Sequence, residues 1–133
     1  MKPHQEPTPS PVAPWAIRSA SDARQIRAED IASYSLRTGQ PYTEDVACPW
    51  QTLAVTLELA QRACPLGQQP AHGTAIEEMR WWDEVRAGDL LRVHLHAFQD
   101  PATGTRRRRL LLWTVNQYGR CVFSCLLSTP LLP

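Results

Sequence analysis

Glu58 is the only acid inside a nearly apolar stretch, Pro49 to Ala63. A carboxylate is a residue type that can give or take a proton. Arg62 follows four residues later, so on a helix the two also fit an ordinary surface ion pair worth about 0.2–0.5 kcal/mol. His94 and His96 alternate along one face of a strand pattern, roughly 7 Å apart at about 3.3 Å per residue. An H-x-H pair can bind a metal, but no third ligand stands nearby, so a solvent-facing or dimer-edge pair is the plainer reading. His72 precedes Gly73 in a loop, where a mobile imidazole could act as a base near neutral pH. Arg106 to Arg109 form a basic run. On a strand the four split two and two between faces. One pair, Arg106 and Arg108, could meet phosphates or an acidic surface, or merely mark a solvated strand start that discourages edge pairing.

The cysteines offer thiols rather than bridges. Cys121 and Cys125 fall on one strand face about 13 Å apart, too far for a disulfide. Cys48 and Cys64 flank a predicted helix, and no CxxC spacing occurs, which argues against zinc. Four free thiols fit a reducing compartment, and the expected location is cytoplasmic.

These residues need elements to hold them. Residues 1–14 are rich in proline and lack periodicity, as in a flexible arm, and they contain no apolar run of the kind a secretory signal needs. Arg27 to Arg37 predicts a short helix with Glu29 and Asp30 in its first turn, Ile31, Tyr34 and Leu36 on its buried side, and Gly39 ending it. Gln40 to Pro49 reads as a loop. Pro49 to Ala63, PWQTLAVTLELAQRA, predicts a helix apolar around most of its circumference, with Gln51, Glu58 and Arg62 in a narrow polar stripe. Such a helix should be wrapped by other structure. Period-two segments follow: residues 75–82, then Leu90 to Phe98, Arg106 to Val115 and Arg120 to Thr129. In the last, Cys121, Phe123, Cys125 and Leu127 share a face. Trp81 and Trp82 must face opposite ways, one into the core and the other toward a dimer interface or an acyl tunnel. One buried helix followed by three or four antiparallel strands is satisfied by a sheet wrapped around that helix.

Size and charge narrow the classes. With 133 residues the chain holds one domain. Its 14 Lys and Arg against 13 Asp and Glu give no bulk attraction for nucleic acid. No apolar run nears the roughly 18–20 residues that span a bilayer.

Three segments carry a resemblance. MRWWDEVRAGDLLRVHLHAF contains Val85-Arg86-Ala87-Gly88-Asp89, a tight turn needing Gly and an Asp able to bond nearby amides. VNQYGRCVFSCLLS sets Asn-Gln before a Gly turn, and IRAEDIASYSLRTGQ supplies a helix with a Thr-Gly corner. Over roughly residues 25–130 these segments resemble the MaoC-like dehydratase group of hotdog-fold acyl-thioester proteins. FabZ-like dehydratases of acyl carrier proteins share the Gly-Asp turn and the wrapped helix. The resemblance implies an α+β hotdog fold, an antiparallel sheet around a central helix, over residues 15–133 as one domain. It implies a homodimer acting on an acyl-CoA or acyl carrier protein thioester, without a cofactor. If active, the chain would be a lyase like (R)-specific enoyl-CoA hydratases or 3-hydroxyacyl dehydratases.

The family's chemistry rests on a corner Asp and a His five positions later. Here the corner is Gln40, and five residues on stands Asp45, or Thr43 in a gapped alignment. Gln40 cannot take a proton at neutral pH, and Asp45 lacks the near-neutral pKa of His. The dyad is therefore degenerate. FabZ-like enzymes carry a helical Glu in a Glu-x-x-x-Gln pattern, from which Glu58 and Gln61 depart by one residue. The resemblance also implies that the first amides of the central helix cradle a thioester carbonyl. Pro49 has no N–H, leaving Trp50 and Gln51, while Arg106 and Arg108 would face coenzyme A phosphates or an acidic carrier. Two other readings stay open. One is a non-catalytic binding module. The other is a thioesterase in which Asp45 or Glu58 activates water.

Overall fold

The structure is a computed structural model, and it describes residues 16–41, 43, 45–63, 73–98 and 107–130. The predicted arm over residues 1–14, His72 and Arg106 lie outside the described residues. Chain order is β1 (Ala16–Ala20), β2 (Arg24–Gln25), α1 (Ala28–Thr38), α2 (Pro49–Ala63), β3 (Ala75–Trp81), β4 (Leu90–Phe98), β5 (Arg107–Val115) and β6 (Cys121–Pro130). The strands form an antiparallel sheet in the order β1-β4-β5-β6-β3, with β2 also pairing on β4.

One face of the sheet is packed on α2. Leu91, Val93, Leu95 and Ala97 of β4, Leu110 and Leu112 of β5, and Phe123, Cys125 and Leu127 of β6 form a core with Val55, Leu59 and Ala60. Two buried hydroxyls, Thr56 on α2 and Thr114 on β5, meet at 2.6 Å across this interface. The sheet around a central helix expected from the sequence is thus present, because an all-round apolar helix and an alternating sheet can cover one another.

β1 and β2 were not predicted. AIRSA contains one large apolar residue and gives no period, so its strand state comes from pairing with β4. The ladder continues past β1 through Ser21, whose amide donates to the Val93 carbonyl at 2.8 Å and whose hydroxyl accepts from the Val93 amide at 2.9 Å.

The connection between β3 and β4 takes the form that its sequence demands. Gly88 sits at φ 95, a conformation that other L-residues avoid. Asp89 Oδ2 accepts from the Arg86 amide at 2.9 Å, and Asp89 Oδ1 accepts from Gln117 Nε2 at 3.0 Å. The turn is stitched to the chain before α1, since Gly88 donates to the Ile26 carbonyl and Ile26 to the Asp89 carbonyl.

Four local expectations are corrected. Leu36 is 87% exposed, and α1 buries Ile31 and Ser35 instead, one turn apart on the side facing the core. Gln51 is not on an exposed stripe but only 4% exposed, and its side chain reaches the Asp30 carbonyl of α1. His96 is buried rather than solvent-facing. Cys121 leaves the Phe123 face, because a register shift pairs Val115 with Cys121 but Thr114 with Phe123. It joins Trp113 and Val115 in a second apolar cluster.

Candidate functional site

The first turn of α2 is where chemistry-bearing groups gather. Its entry is fixed by the loop after α1. Gly39, at φ 72, ends α1 with its amide on the Ser35 carbonyl at 2.9 Å. The chain then returns across the β3–β4 turn. Ala87 donates to the Asp45 carbonyl at 2.9 Å and Ala47 to the Val85 carbonyl at 2.8 Å. Trp81, on the core side of β3, donates its indole N–H to the Pro49 carbonyl at 2.7 Å and packs on Phe123. Trp50 meets Trp81 edge-on at 5.4 Å between ring centroids and is itself 48% exposed. Trp82 faces the other way and bonds Ser124 Oγ.

The amides of this turn divide. The Cys48 carbonyl accepts from Gln51 N–H at 3.0 Å and from Thr52 N–H at 3.3 Å. Gln51 N–H is therefore spoken for, contrary to its expected part in a cradle. Pro49 has none to give. Among the described residues Trp50 N–H has no hydrogen-bond partner, and it belongs to the first turn, at the positive end of a 15-residue helix. The Gln51 side chain enters the site in another way. Its Nε2 donates to the Asp30 carbonyl at 3.1 Å, while its Oε1 is buried without a partner.

Other predicted site residues are placed as follows. Gln40 follows the αL glycine, half-buried, with its amide on Thr38 Oγ1 at 3.4 Å. Asp45 is exposed, and among the described residues no hydrogen bond or ion pair engages its carboxylate. Glu58 lies outside this group. Its two oxygens are held by Arg24 at 2.7 Å and Arg62 at 3.0 Å, with the side chain 45% exposed, which is the surface-pair arrangement. Arg108 is half-buried on the α2-facing side of β5, six residues or about 20 Å along the strand from Thr114. It is therefore remote from the first turn of α2. Arg109 points to the opposite face and approaches Glu77 at 3.4 Å. Among the described residues no group of three His, Cys, Asp or Glu could hold a metal.

Sequence reasoning missed two contributors. Cys48 caps α2 through its carbonyl, and Tyr34 of α1 lies within electrostatic range of the Cys48 thiol. Burial, and then that thiol, push the Tyr34 hydroxyl above its usual pKa, so it stays protonated as a donor. The side chain of Gln51 was read as stripe polarity because helical angle alone places it beside Glu58 and Arg62. Its burial and its bond to the Asp30 carbonyl are tertiary facts.

No family model matches the chain, and neither does any curated protein. Solved structures do. A MaoC-like dehydratase from Rhodospirillum rubrum superposes with a TM-score of 0.69 at 23% identity, over 89% of this chain and 93% of that one. An R-hydratase from Pseudomonas aeruginosa gives 0.60 at 19%, over 89% and 81%. A hypothetical thioesterase from Streptococcus pneumoniae, solved with coenzyme A, gives 0.58 at 10%, over 83% and 75%. The chain has the hotdog fold that these dehydratase, hydratase and thioesterase structures share.

Proposed function

We propose that this protein binds acyl thioesters of coenzyme A or acyl carrier protein at the first turn of α2, as a MaoC-like hydratase/dehydratase relative with a degenerate acid–base pair. The observation that carries the reading is the unpartnered Trp50 N–H at the head of the helix the sheet encloses. A thioester carbonyl oxygen accepting from that N–H gains a charge-favouring contact from the helix dipole. Hydration or dehydration also needs a proton taken and a proton given. Gln40 can do neither at neutral pH, and Asp45 stands in water. Binding therefore outlasts chemistry. Losing acid–base help alone lowers turnover by about 10²–10⁴-fold. Arg106 and Arg108 remain candidates for the carrier's phosphates or acidic surface, away from the reacting carbonyl. The chain is proposed to act as a homodimer in a reducing, cytoplasmic setting, in keeping with cysteines that fit no disulfide spacing. Among the described residues no helix is long and apolar enough to cross a membrane.

The free Asp45 carboxylate favours one second reading, a thioesterase in which it activates water. Equilibrium binding of butyryl-CoA, crotonyl-CoA hydration and acyl-CoA hydrolysis separate the two. Micromolar-range binding with weak hydration is expected, weakened by Gln40→Ala. Hydrolysis that Asp45→Asn abolishes selects the thioesterase. Robust crotonyl-CoA hydration, unaffected by Asp45→Asn and Glu58→Gln, overturns both and points to His72 or another residue.

A further inference from the structure

We propose that the sheet face turned away from α2 is a docking surface, and that its occupant is the proline-rich start of the same chain, residues 1–15, seated against the His94–Trp113 stack. This face lies opposite the α2 site, so its occupancy is separate from thioester binding.

Thr114 meets Thr56 of α2, and Leu112 joins the core around that helix. Strand alternation then turns Leu111, Trp113 and Val115 to the outer face. His96 and His94 stand opposite Leu111 and Trp113 in the ladder. A sheet with one wet face alternates apolar and polar residues, as β4 does. β5 does not: Leu110 to Val115 is apolar but for Thr114, the pattern of a strand buried on both faces. The structure agrees. Trp113 is 8% exposed and His96 5%, and Trp113, Val115 and Cys121 form an apolar cluster of their own. Yet α2 packs on the opposite face, and α1 sends Ile31 into the core on that same side. Among the described residues no helix or strand packs over the outer cluster.

Polar atoms on this face ask for a partner. Trp113 Nε1 and both His96 ring nitrogens are buried without one, whereas the Trp81 and Trp82 indoles are bonded. A buried polar atom left unpaired forfeits its hydration with no return. An indole N–H can only donate, so what Trp113 lacks is an acceptor. Aromatic rings line the approach. His94 stacks on Trp113 at 5.4 Å between centroids and 15° between planes, and Phe98 meets His96 edge-on at 5.7 Å.

Residues 1–15 have the matching chemistry. Pro3, Pro7, Pro9, Pro11 and Pro14 carry carbonyls but no N–H, so this segment offers acceptors in excess of donors. Proline-rich chain is recognised by aromatic-lined grooves through its rings and carbonyls. The segment also starts from the right place. It leads directly into β1, whose Ala16 stands opposite Phe98. From Phe98 to His94 is four residues, about 13 Å, and 15 residues of polyproline helix reach about 45 Å. Other segments outside the described residues fall short. Residues 99–106 would have to reach Trp113 from Phe98 and return to Arg107, about 33 Å at strand rise, and eight residues span at most about 29 Å. Residues 131–133 extend about 10 Å, while Ser124, opposite Trp113, lies six residues or about 20 Å before Pro130. Residues 64–72 leave from α2, on the other face.

The test is nuclear magnetic resonance of the full chain labelled with ¹⁵N and ¹³C, with the Trp113 indole proton assigned sequentially. Cross-relaxation peaks are expected from that proton and the His94 ring protons to Hα and Hδ protons of the prolines in residues 1–15. Deleting residues 1–14 should shift the Trp113 indole proton and speed its exchange with water about three- to tenfold, the worth of one hydrogen bond. The Trp81 and Trp82 indole protons should keep their shifts. Cross-peaks from Trp113 to residues 99–106 or 131–133 instead overturn the proposal. So do peaks to a second copy in a mixture of labelled and unlabelled chains, or an indole proton that exchanges equally fast with and without residues 1–14. If the shortened chain does not fold, the wild-type cross-peaks decide alone.

Discussion

At the scale of single residues, environment decides what each side chain can do. His96 shows this on the outer face of β4. It is 5% exposed, neither ring nitrogen has a partner, and Arg18 of β1 stands opposite in the ladder, with Leu111 opposite on β5. Burial first, and then the Arg18 charge, push its pKa below the ordinary 6.5. Such a ring favours the neutral form when folded, so the unfolded chain binds more protons in mild acid. Its contribution to stability is intact above pH 6.5 and is lost as pH falls below that unfolded value toward the folded one. Urea melts between pH 7.5 and 5 should show wild-type stability dropping more steeply than that of His96→Leu, and parallel curves would refute the assignment. The thiols separate by the same logic. Burial pushes Cys125 up to about 12, leaving almost no thiolate at pH 8, whereas Cys48 is half-buried at the head of α2. Iodoacetamide at pH 8 followed by peptide mass mapping should label Cys48 in the native protein and Cys125 only after unfolding.

At the scale of elements, the contact between α2 and the sheet is mainly apolar, with one polar tie. The Thr56 and Thr114 hydroxyls are both fully buried and only 2.6 Å apart. Removing one leaves the other to find a partner in a dry interface, at a cost of about 1–3 kcal/mol. Thr56→Val and Thr114→Val should each lower stability in urea melts by that order. The double variant should lose clearly less than the sum, because no orphan remains. Strict additivity would show that the two hydroxyls do not depend on each other. The elements themselves were largely legible beforehand. α2 begins and ends at the predicted residues because Pro49 suits a first helical turn and the apolar pattern runs unbroken to Ala63. β4 was equally plain, since Leu91, Val93, Leu95 and Ala97 alternate with polar neighbours and all four are buried. α1 was placed within a residue, with Asp30 capping the Arg27 amide at 2.9 Å and Gly39 closing the helix in the left-handed conformation.

At the scale of the whole molecule, among the described residues the β3 edge of the sheet pairs with no further strand. β3 ends the strand order, six of its seven residues are exposed, and Ile76 and Met79 present apolar side chains there, with Trp82 just beyond it and Trp50 nearby. An exposed apolar edge is a template for another strand, and a second copy of this chain pairing β3 with β3 would cover it. Light scattering at micromolar concentration should give twice the 15.0 kDa of one chain. Ile76→Arg should shift the protein toward a single-chain mass without lowering the melting temperature by more than a few degrees. A single-chain mass for the wild type would sink this expectation.

The sequence by itself determined the class of fold. Periods of 3.6 and 2, punctuated by Gly39, Gly88 and Gly119, are local signals written in consecutive residues. It also set Gln40 and Asp45 where the resemblance leads one to expect an Asp and a His, because residue identity needs no coordinates. What only the tertiary structure decided is which face of each element meets something else. AIRSA is a strand because β4 offers it a partner, Cys121 changes face because of a register shift one strand away, and Leu36 is exposed because the core reaches Ile31 and Ser35 instead. Gln51 shows the difference most sharply. Its helical angle puts it with Glu58 and Arg62, and nothing in that stretch says that the Asp30 carbonyl of α1 takes its Nε2. Burial and partner choice are properties of contacts between segments distant in sequence, so a local pattern cannot contain them. The candidate site is made of such contacts: a carbonyl of α1, a cap from Cys48, an indole from β3, and one helix turn left with a donor and an acceptor unclaimed.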